Sequence, residues 1–335
     1  MIGFRVDANE EIATGHLMRC IAIAKACRKQ GQDCIFFLAE EKETRRLLEA
    51  GFPYRVLNTD YRKPEQELPR LLDLIEEEEL SWLAVDSYQV SAAYLAKVQK
   101  AVPVLYIDDM REDFYPVSAV LQYIPGMSDG RERYESAGIP VLRGFSYAPL
   151  REEFIVPKEK KREKSILITT GGTDTYNAAG KVLEFCLGKP ELSGYAFHVI
   201  VGSMNTHAGE LEQLAEKNPQ VLLHRNISNI SDFMSRCEAA VSAGGTTLLE
   251  LCACRTPTVC FAFADNQTVF AGEMQRLDVV CYAGDARFDR GIGEKIGEQL
   301  LLFAASAGRR RAYAERMGKL VDGKGADRIA AFLSS

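Results

Sequence analysis

The sequence predicts an α/β protein built from two doubly wound, Rossmann-like domains with a ligand cleft between them. Short apolar runs alternate with helical patterns along most of the 335 residues, which is typical of parallel sheets covered by helices. The alternation weakens between about residues 109 and 164, where Pro, Gly and charged residues accumulate, and then restarts. A chain of this length also exceeds what a single hydrophobic core usually organises.

The first domain is predicted over residues 1–145. Its strands are expected at residues 2–6, 34–38, 82–85 and 104–107, and helical patterns at 17–29, 43–50 and 91–100 follow the first three strands. In such a sheet, ligands bind beyond the carboxyl ends of the strands. Functional residues are therefore expected in the loops that follow these strands.

A linker over residues 146–164 leads to a second domain at 165–335, whose last helix can pack back on the first domain. The strands of the second domain are expected at 165–170, 198–201, 221–224, 239–242 and 258–261, and a helical segment follows each. The basic run at 158–164 (KEKKREK) is interpreted as a solvated part of the linker.

Composition argues against several classes of protein. The 41 basic and 47 acidic residues give a formal charge of −6, which argues against a general nucleic-acid binder. No apolar run approaches the ~18 residues that a membrane span requires, and the N-terminus lacks the pattern of a signal peptide. The nine cysteines lie mostly in apolar stretches and are predicted to be reduced core residues rather than metal ligands. We therefore expect a cytoplasmic protein without a membrane span.

The loop after the first strand, residues 7–20 (DANEEIATGHLMRC), carries a candidate base. Thr14 is a plausible N-cap, and Gly15 and His16 open the following helix. The dinucleotide-binding pattern G-x-G-x-x-G is missing from this turn, which argues against a dehydrogenase. A histidine at a helix N-terminus beside the sheet is suited to accepting a proton. The alternative is that His16 merely caps the helix or packs on the loop.

Two loops of the second domain have the composition of anion sites. Residues 170–176 (TGGTDTY) and 242–247 (SAGGTT) each lie between a strand and a helix. Glycines let backbone N–H groups approach an anion, hydroxyls add donors, and helix N-termini supply partial positive charge. These loops predict a diphosphate site. Glu250, one turn further along, could accept hydrogen bonds from ribose hydroxyls or could simply be an exposed helix acid.

Several segments resemble one protein family. Residues 14–20 (TGHLMRC), 171–174 (GGTD) and 242–267 (SAGGTTLLELCACRTPTVCFAFADNQ) resemble the UDP-sugar hydrolase of pseudaminic acid biosynthesis and the related spore-coat polysaccharide proteins. Residues 142–154 and the pair Asp108 and Asp109 extend the resemblance over nearly the whole chain. Its most specific motif is Gly-His-x-x-Arg. The second half is more distantly similar to the nucleotide domain of the lipid II-forming N-acetylglucosaminyl transferase, which has a glycosyltransferase B (GT-B) fold.

The resemblance implies a set of site residues. His16 would be the general base and Glu250 the ribose ligand. The other implied substrate contacts are Asp7, Gly15, Tyr88, Gly171, Gly172, Ile227, Gly245, Thr246, Thr247, Asn266 and Gln267. Neither a metal nor a cofactor is implied. Two departures from the family pattern, at Gln122–Tyr123 and at Ala148–Pro149, bear on the identity of the substrate more than on the fold.

The predicted reaction is hydrolysis of a UDP-linked acetamido-deoxy sugar at its anomeric carbon, with inversion. It would release UDP and a free sugar for the synthesis of a nonulosonic acid or a surface polysaccharide. Because UDP leaves as a stable anion, one base that activates water suffices, and the paired carboxylates of a glycosidase are not needed. A sugar synthase or nucleotidyltransferase of the same pathway is the expected functional partner. Two alternatives stay open: sugar transfer to an acceptor hydroxyl, and a catalytically idle module that binds nucleotide sugars.

Overall fold

The computed structural model describes residues 1–9, 14–108, 113–124, 131–155 and 161–335. The chain divides into two compact units, of which the first comprises Met1–Glu152 with Lys324–Ser335 and the second Glu153–Gly323. The domain boundaries and the cleft expected from the sequence stay predictions.

The first unit is built on a parallel sheet of seven strands among the described residues. The strands are β1 (Ile2–Val6), β2 (Cys34–Leu38), β3 (Tyr54–Val56), β4 (Trp82–Asp86), β5 (Val104–Ile107), β6 (Ala119–Gln122) and β7 (Val141–Arg143). Their order in the sheet is β3-β2-β1-β4-β5-β6-β7. The order reverses between β1 and β4, which defines the switch point of this sheet.

Short helices connect these strands. They are α1 (Gly15–Lys29), α2 (Thr44–Ala50), α3 (Leu68–Glu77), α4 (Ala92–Val98) and α5 (Arg131–Ser136). Helix α3 buries Leu71, Leu74 and Ile75 along one face, the spacing of an amphipathic helix. Ser91 begins α4, because its hydroxyl accepts a 3.0 Å hydrogen bond from the Tyr94 N–H.

The second unit repeats the plan, with six parallel strands in the part of it that the structure describes. These are β8 (Glu163–Thr169), β9 (Ala196–Ile200), β10 (Val221–His224), β11 (Cys237–Ala243), β12 (Thr258–Ala262) and β13 (Cys281–Asp285), in the order β10-β9-β8-β11-β12-β13. Its helices are α6 (Ala178–Leu187), α7 (Ala208–Lys217), α8 (Ile230–Arg236), α9 (Thr247–Ala253), α10 (Asp265–Arg276), α11 (Ile292–Ala305) and α12 (Ala307–Leu320). The switch point lies between β8 and β11. The predicted fold class, two doubly wound parallel sheets, is confirmed.

The last helix, α13 (Gly325–Leu333), belongs to the first unit. The Gln30 side chain donates a 3.2 Å hydrogen bond to the Asp327 carbonyl, and the Phe332 ring lies 5.5 Å from the Trp82 ring. These contacts fasten the chain end beside α1 and β4.

A partly buried arginine just before β8 joins the ends of two helices of the second unit. Arg162 donates to the carbonyls of Cys254 and Arg255, both at 2.8 Å, at the end of α9. It also donates to the Cys237 carbonyl, at 2.6 Å, just after α8. A cation at two helix C-termini satisfies unpaired carbonyls and complements the helix dipoles. Arg162 thereby holds α9, whose other end carries predicted site residues.

The structure also bears on the expectations for the cysteines and for membrane-spanning helices. All nine cysteines are free and buried, as predicted. None of the described helices combines the length and the apolar character needed to cross a membrane.

Candidate active site

The switch point of the first sheet brings together loops that are far apart in sequence. Val6 and Asp86, the last residues of β1 and β4, are paired across the sheet. The loop after β1 leads to α1, and the loop after β4 contains Ser87 and Tyr88. Asp7, His16 and Tyr88, three of the predicted site residues, therefore lie at one edge of the sheet.

His16 is held by Asp86. Its Nδ1 atom lies 2.5 Å from Oδ1 of Asp86. An ionised carboxylate only accepts hydrogen bonds, so this contact selects the imidazole tautomer with the proton on Nδ1. Among the described residues Nε2 has no hydrogen-bond partner, and its lone pair is left for a proton. Thr14 occupies the N-cap position as predicted, but its side chain makes no capping hydrogen bond.

Arg19 shares the same carboxylate. Its Nε and Nη2 atoms donate to the two oxygens of Asp86, both at 2.5 Å, and Nη1 donates to the Tyr123 hydroxyl at 2.7 Å. Residues three apart lie on one face of a helix, which explains the spacing of His16 and Arg19 in the Gly-His-x-x-Arg motif. Sequence analysis missed both Asp86 and Arg19 as site residues. Tyr123, noted as a departure from the family pattern, is part of this network.

Asp86 is buried yet ionised. Burial by itself raises its pKa, but the charge of Arg19, the charge of His16 and the hydrogen bonds from both outweigh burial and hold the pKa below its usual range. Asp86 can therefore orient His16 over the whole neutral pH range.

A small cavity adjoins His16. It has a volume of about 30 Å³ and is lined by Asp7, His16, Asp86, Ser87, Tyr88 and Gln89. Room of this size and polarity suits one or two water molecules. The His16 and Tyr88 rings meet edge to face with centroids 4.6 Å apart, and Tyr88 is about half exposed. The site thus combines an oriented imidazole with space for water.

Asp7 is more deeply embedded than a residue that only contacts a sugar. Its Oδ1 atom accepts a 3.0 Å hydrogen bond from the Ala39 N–H, and Oδ2 lies 2.7 Å from Nη1 of the buried Arg5. The remaining Arg5 donors reach both oxygens of Glu67, at 2.6 and 2.7 Å. Arg5, an isolated charge in an apolar strand, was the sequence signal that could have predicted this network.

The second switch point lies between the two predicted diphosphate loops. Thr169 of β8 pairs with Ser242 of β11, so the Gly171 and Gly244 turns start at neighbouring strand ends. Gly171 has a φ of +86°, a conformation that favours glycine. A Cβ atom at Gly202 would overlap the carbonyl oxygens of Gly171 and Gly172, so the loop that follows β9 and the loop that follows β8 are in close contact.

The helix after the first of these loops does not offer the open N-terminus that the sequence predicted. The buried Asp174 accepts hydrogen bonds from the Ala178 and Ala179 N–H groups at 2.8 and 3.1 Å. The Asn177 side chain accepts from Gly180 N–H at 3.2 Å. These side chains already satisfy the first amides of α6. Anion binding at this loop would have to use Gly171 and Gly172 themselves.

The loop after β11 is more open. The Thr246 side chain makes no capping hydrogen bond to α9, and Thr246 is exposed while Gly245 and Thr247 are partly exposed. Glu250 lies in the first turn of α9 and is partly buried rather than fully exposed. Backbone amides, hydroxyls and one carboxylate therefore meet at this end of α9.

Of the remaining predicted contacts, Asn266 and Gln267 lie on the helix beside the loop after β11, whereas Ile227 lies away from it. Asn266 and Gln267 lie in the first turn of α10, and a Cβ atom at Gly244 would stand 3.0 Å from the Gln267 carbonyl oxygen. The Gln267 side chain accepts from Phe263 N–H at 3.1 Å. Ile227 follows β10, the strand at the far side of the sheet, two strands away from β8. No group of three or more His, Cys, Asp or Glu residues among those described is placed to hold a metal ion.

Solved structures place the fold among GT-B glycosyltransferases. MurG of Acinetobacter baumannii superimposes with a TM-score of 0.72 at 12% identity and covers 99% of each chain. The spinosyn rhamnosyltransferase SpnG, complexed with thymidine diphosphate, gives a TM-score of 0.68 at 13% identity over 100% of each chain. Two parallel sheets of the kind described above are thus a GT-B-like arrangement of elements.

Curated sequences give more specific relatives. The spore coat polysaccharide biosynthesis protein SpsG of Bacillus subtilis (strain 168) is 25% identical over 99% of this chain and 97% of its own length. The UDP-2,4-diacetamido-2,4,6-trideoxy-beta-L-altropyranose hydrolase of Campylobacter jejuni is 24% identical over 79% of this chain and 92% of its own. A Helicobacter pylori protein named as both pseudaminic acid cytidylyltransferase and that hydrolase is 24% identical over 79% of this chain and 45% of its own.

These relatives confirm the resemblance predicted from the sequence. No protein-family model matches the chain. The roles of the individual site residues stay predictions.

Proposed function

We propose that this chain processes a UDP-linked sugar by hydrolysing the bond between the anomeric carbon and UDP. The observation that carries the proposal is the contact between His16 and Asp86 beside a cavity of about 30 Å³. An imidazole with a fixed tautomer is suited to act as a general base, and a space of this size suits a water molecule. The name of the Campylobacter relative supports the same reaction and an acetamido-deoxy sugar as the substrate.

The proposed step balances simply. Water attacks the anomeric carbon on the face opposite UDP, and one water proton moves to Nε2 of His16. The bond from that carbon to the diphosphate oxygen breaks, and its electron pair leaves with UDP. The configuration inverts, and free sugar is formed. Asp86 stabilises the imidazolium that results, as a carboxylate does in other oriented histidine bases.

The second unit is proposed to bind UDP. Gly245, Thr246 and Thr247 would donate to the diphosphate from the loop after β11, and Glu250 would accept from the ribose. Asn266 and Gln267 would contact the ligand from the adjoining α10, while Gly171, Gly172 and Ile227 would contribute from the neighbouring strand ends. The exposed Thr246 and the partly exposed Gly245 support this assignment.

Sugar transfer is the second candidate, since the solved structures of this fold named above are glycosyltransferases. The two reactions differ in the nucleophile, which is water or an acceptor hydroxyl. The fused Helicobacter relative supports a functional link to a nucleotidyltransferase that would act on a later product of the pathway. We place the protein in the cytoplasm, where nucleotide sugars would be available.

The test is to incubate the protein with a panel of UDP-sugars and to follow UDP release and the anomeric configuration of the sugar. His16→Asn should retain UDP affinity and lower turnover by ~10² to 10⁴, the usual contribution of a general base. Asp33→Asn, at an exposed position just before β2 of the first unit, is the control and should keep full activity.

Other outcomes would redirect the proposal. Release of UDP only after an acceptor alcohol is added would show transfer. Tight UDP-sugar binding without any turnover would show a binding module. Near-normal turnover of His16→Asn would remove His16 as the base.

A further inference from the structure

A fully buried arginine lies in the central region of the first sheet. Arg5 is on β1 and has no exposed surface. A charge in such a place is costly to desolvate, and apolar side chains of similar volume often serve the fold equally well or better. Stability alone therefore does not explain why the strand carries this arginine.

Glu67 pairs with Arg5, and two hydroxyls in turn contact the Glu67 carboxylate. Both oxygens of Glu67, at the start of α3, accept from its guanidinium, at 2.6 and 2.7 Å. The Tyr94 hydroxyl, from α4, donates a 2.6 Å hydrogen bond to the same carboxylate. The Thr59 hydroxyl lies 3.4 Å from it. We call Arg5, Glu67 and Tyr94 the buried triad.

The triad ends at the candidate active site. Residues two apart in a strand point to the same face, so Arg5 and Asp7 share one side of β1. Nη1 of Arg5 lies 2.7 Å from Oδ2 of Asp7, while Ala39 N–H donates to Oδ1. The Arg5 cation lies between the carboxylates of Glu67 and Asp7, and the three groups together carry a net negative charge. Because Glu67 is fully buried, that charge meets solvent only at Asp7, which lines the cavity beside His16.

We propose that Asp7 is a catalytic residue that holds the attacking water, and that the buried triad is a positioning network for its carboxylate. This inference rests on the proposed hydrolysis. Water in the cavity has two protons and His16 accepts one of them. Asp7 would accept a hydrogen bond from the other O–H group, which stays on the product as the new anomeric hydroxyl. The Ala39 N–H uses one of the roughly four lone-pair sites of this carboxylate, and Oδ2 pairs with Arg5 by charge without hydrogen-bond geometry, so lone pairs remain for water.

The role differs from that of a second base. Ion pairing with Arg5 and the hydrogen bond from Ala39 fix both oxygens of Asp7 in place. Holding a nucleophile at the correct position can change a rate by ~10² for a displacement of about 1 Å. The triad acts only through Asp7, so its residues are positioning residues.

The decisive variant removes the whole triad. In Arg5→Met/Glu67→Met/Tyr94→Phe the buried polar groups are replaced together, a change that folded proteins often tolerate. We expect normal UDP affinity and a stable fold, with kcat for UDP release lowered by ~10² and KM much less affected. Leu71→Ala, a core truncation in α3, is the control for lost stability and should keep kcat within about twofold.

A second arm tests the water contact itself. Asp7→Ala should lose turnover by a similar factor, and added formate should restore it severalfold, because formate can occupy the vacated position beside Arg5. In Asp7→Ala/Arg5→Met/Glu67→Met/Tyr94→Phe formate should have no effect, since the cation that would hold it is gone. Glu67→Gln replaces the triple variant if that variant does not fold, and it should lower kcat while keeping KM.

The outcomes separate this inference from the proposed function. A wild type that releases no UDP from any UDP-sugar would refute hydrolysis, and the role of Asp7 in hydrolysis would be refuted with it. An active wild type together with a folded triple variant of normal kcat would overturn the triad proposal alone. Formate rescue that is equal with and without Arg5 would also overturn it.

Discussion

At the scale of single residues, Asp86 has two tasks at once, since it orients His16 and neutralises Arg19. In Asp86→Asn the amide can present either its oxygen or its nitrogen to Nδ1, so the tautomer of His16 is no longer fixed. Arg19 also loses its carboxylate. We expect kcat for UDP release to fall by ~10² or more, as in other enzymes whose histidine base loses its carboxylate. UDP affinity, measured by calorimetry, should not change.

Asp86→Asn should also change how the free energy of unfolding depends on pH. The pKa of Asp86 is lower in the folded protein than in an unfolded chain, so its ionised form stabilises the fold above about pH 4 and this contribution is lost as the pH falls further. The free energy of unfolding of Asp86→Asn should therefore approach that of the wild type in acid. Asp33→Asn, at an exposed position, is the control. A constant difference across pH would contradict the ion-pair account.

His16 could be predicted because its signal is local: a histidine in the first turn of a helix that follows a strand. Asp86 lies 70 residues away, and its contact depends on β1 and β4 being neighbours although β2 and β3 come between them in sequence. Alternating strands and helices predict a sheet, but they do not specify this order. The position of Arg5 was visible, but its partner Glu67 is 62 residues away.

At the scale of elements, strands β9 and β10 carry a pair of histidines whose ring nitrogens are in contact. Nδ1 of His198 lies 3.0 Å from Nε2 of His224, and the Phe233 ring packs on both. Burial is the main cause that lowers the pKa of each, and Arg236 lowers both further, while Glu163 opposes the shift at His198. The unfolded chain then binds more protons near and below about pH 6.5, so the fold loses stability as the pH falls.

Hydrogen exchange can measure this effect where it arises. The opening free energy of amides in β9 and β10 should decrease from neutral to mildly acidic pH, and His198→Gln/His224→Gln should remove much of that decrease. His207→Gln is the control. The hydrogen bond with Glu210 raises the pKa of His207, so protonation of this histidine stabilises the fold as the pH falls, opposite to the effect of the other two histidines. Removing His207 should make the loss in acid slightly steeper. Unchanged pH dependence in the double variant would refute the assignment.

The elements that the sequence predicted are those with long apolar runs. The observed bounds of β1, β2, β5 and β10 agree with the predicted ones. Strands β3 and β7 have three residues each, too few for an alternation to be seen, and β6 lies in the stretch where the rhythm was expected to weaken. Strand β13 (CYAGD) contains Gly and Asp, which are rare in strands. Helix α3 was missed although its amphipathic spacing is clear.

At the scale of the whole molecule, both sheets place their candidate residues at a switch point. In the first sheet this is the junction of β1 with β4, and in the second the junction of β8 with β11. The rule that ligands bind at such junctions needs only strand order. General topology therefore located the candidate regions before any side chain was considered. The finer chemistry, such as the blocked N-terminus of α6, depended on the individual contacts of Asp174 and Asn177.

UDP should stabilise the second unit if that unit is the nucleotide site. A ligand at about 100 times its dissociation constant stabilises the native state by about 2.7 kcal/mol. Hydrogen exchange with UDP should slow most in residues 170–176 and 242–250. The single tryptophan, Trp82, belongs to the first unit, and its fluorescence offers a separate signal for unfolding there. Slower exchange confined to the first unit would contradict the assignment of UDP to the second.

Glu250→Ala tests the ribose contact within that site. A hydrogen bond to a charged group contributes about 1.5–3 kcal/mol, so UDP affinity measured by calorimetry should fall at least tenfold, while affinity for inorganic phosphate should be nearly unchanged. Glu273→Ala is the matched control, because that glutamate lies on α10 and pairs with Arg276 instead. Equal UDP affinity in Glu250→Ala and the wild type would remove Glu250 from the site. Parallel losses for UDP and phosphate would indicate that the carboxylate supports the loop at Thr246 and Thr247 rather than the ribose.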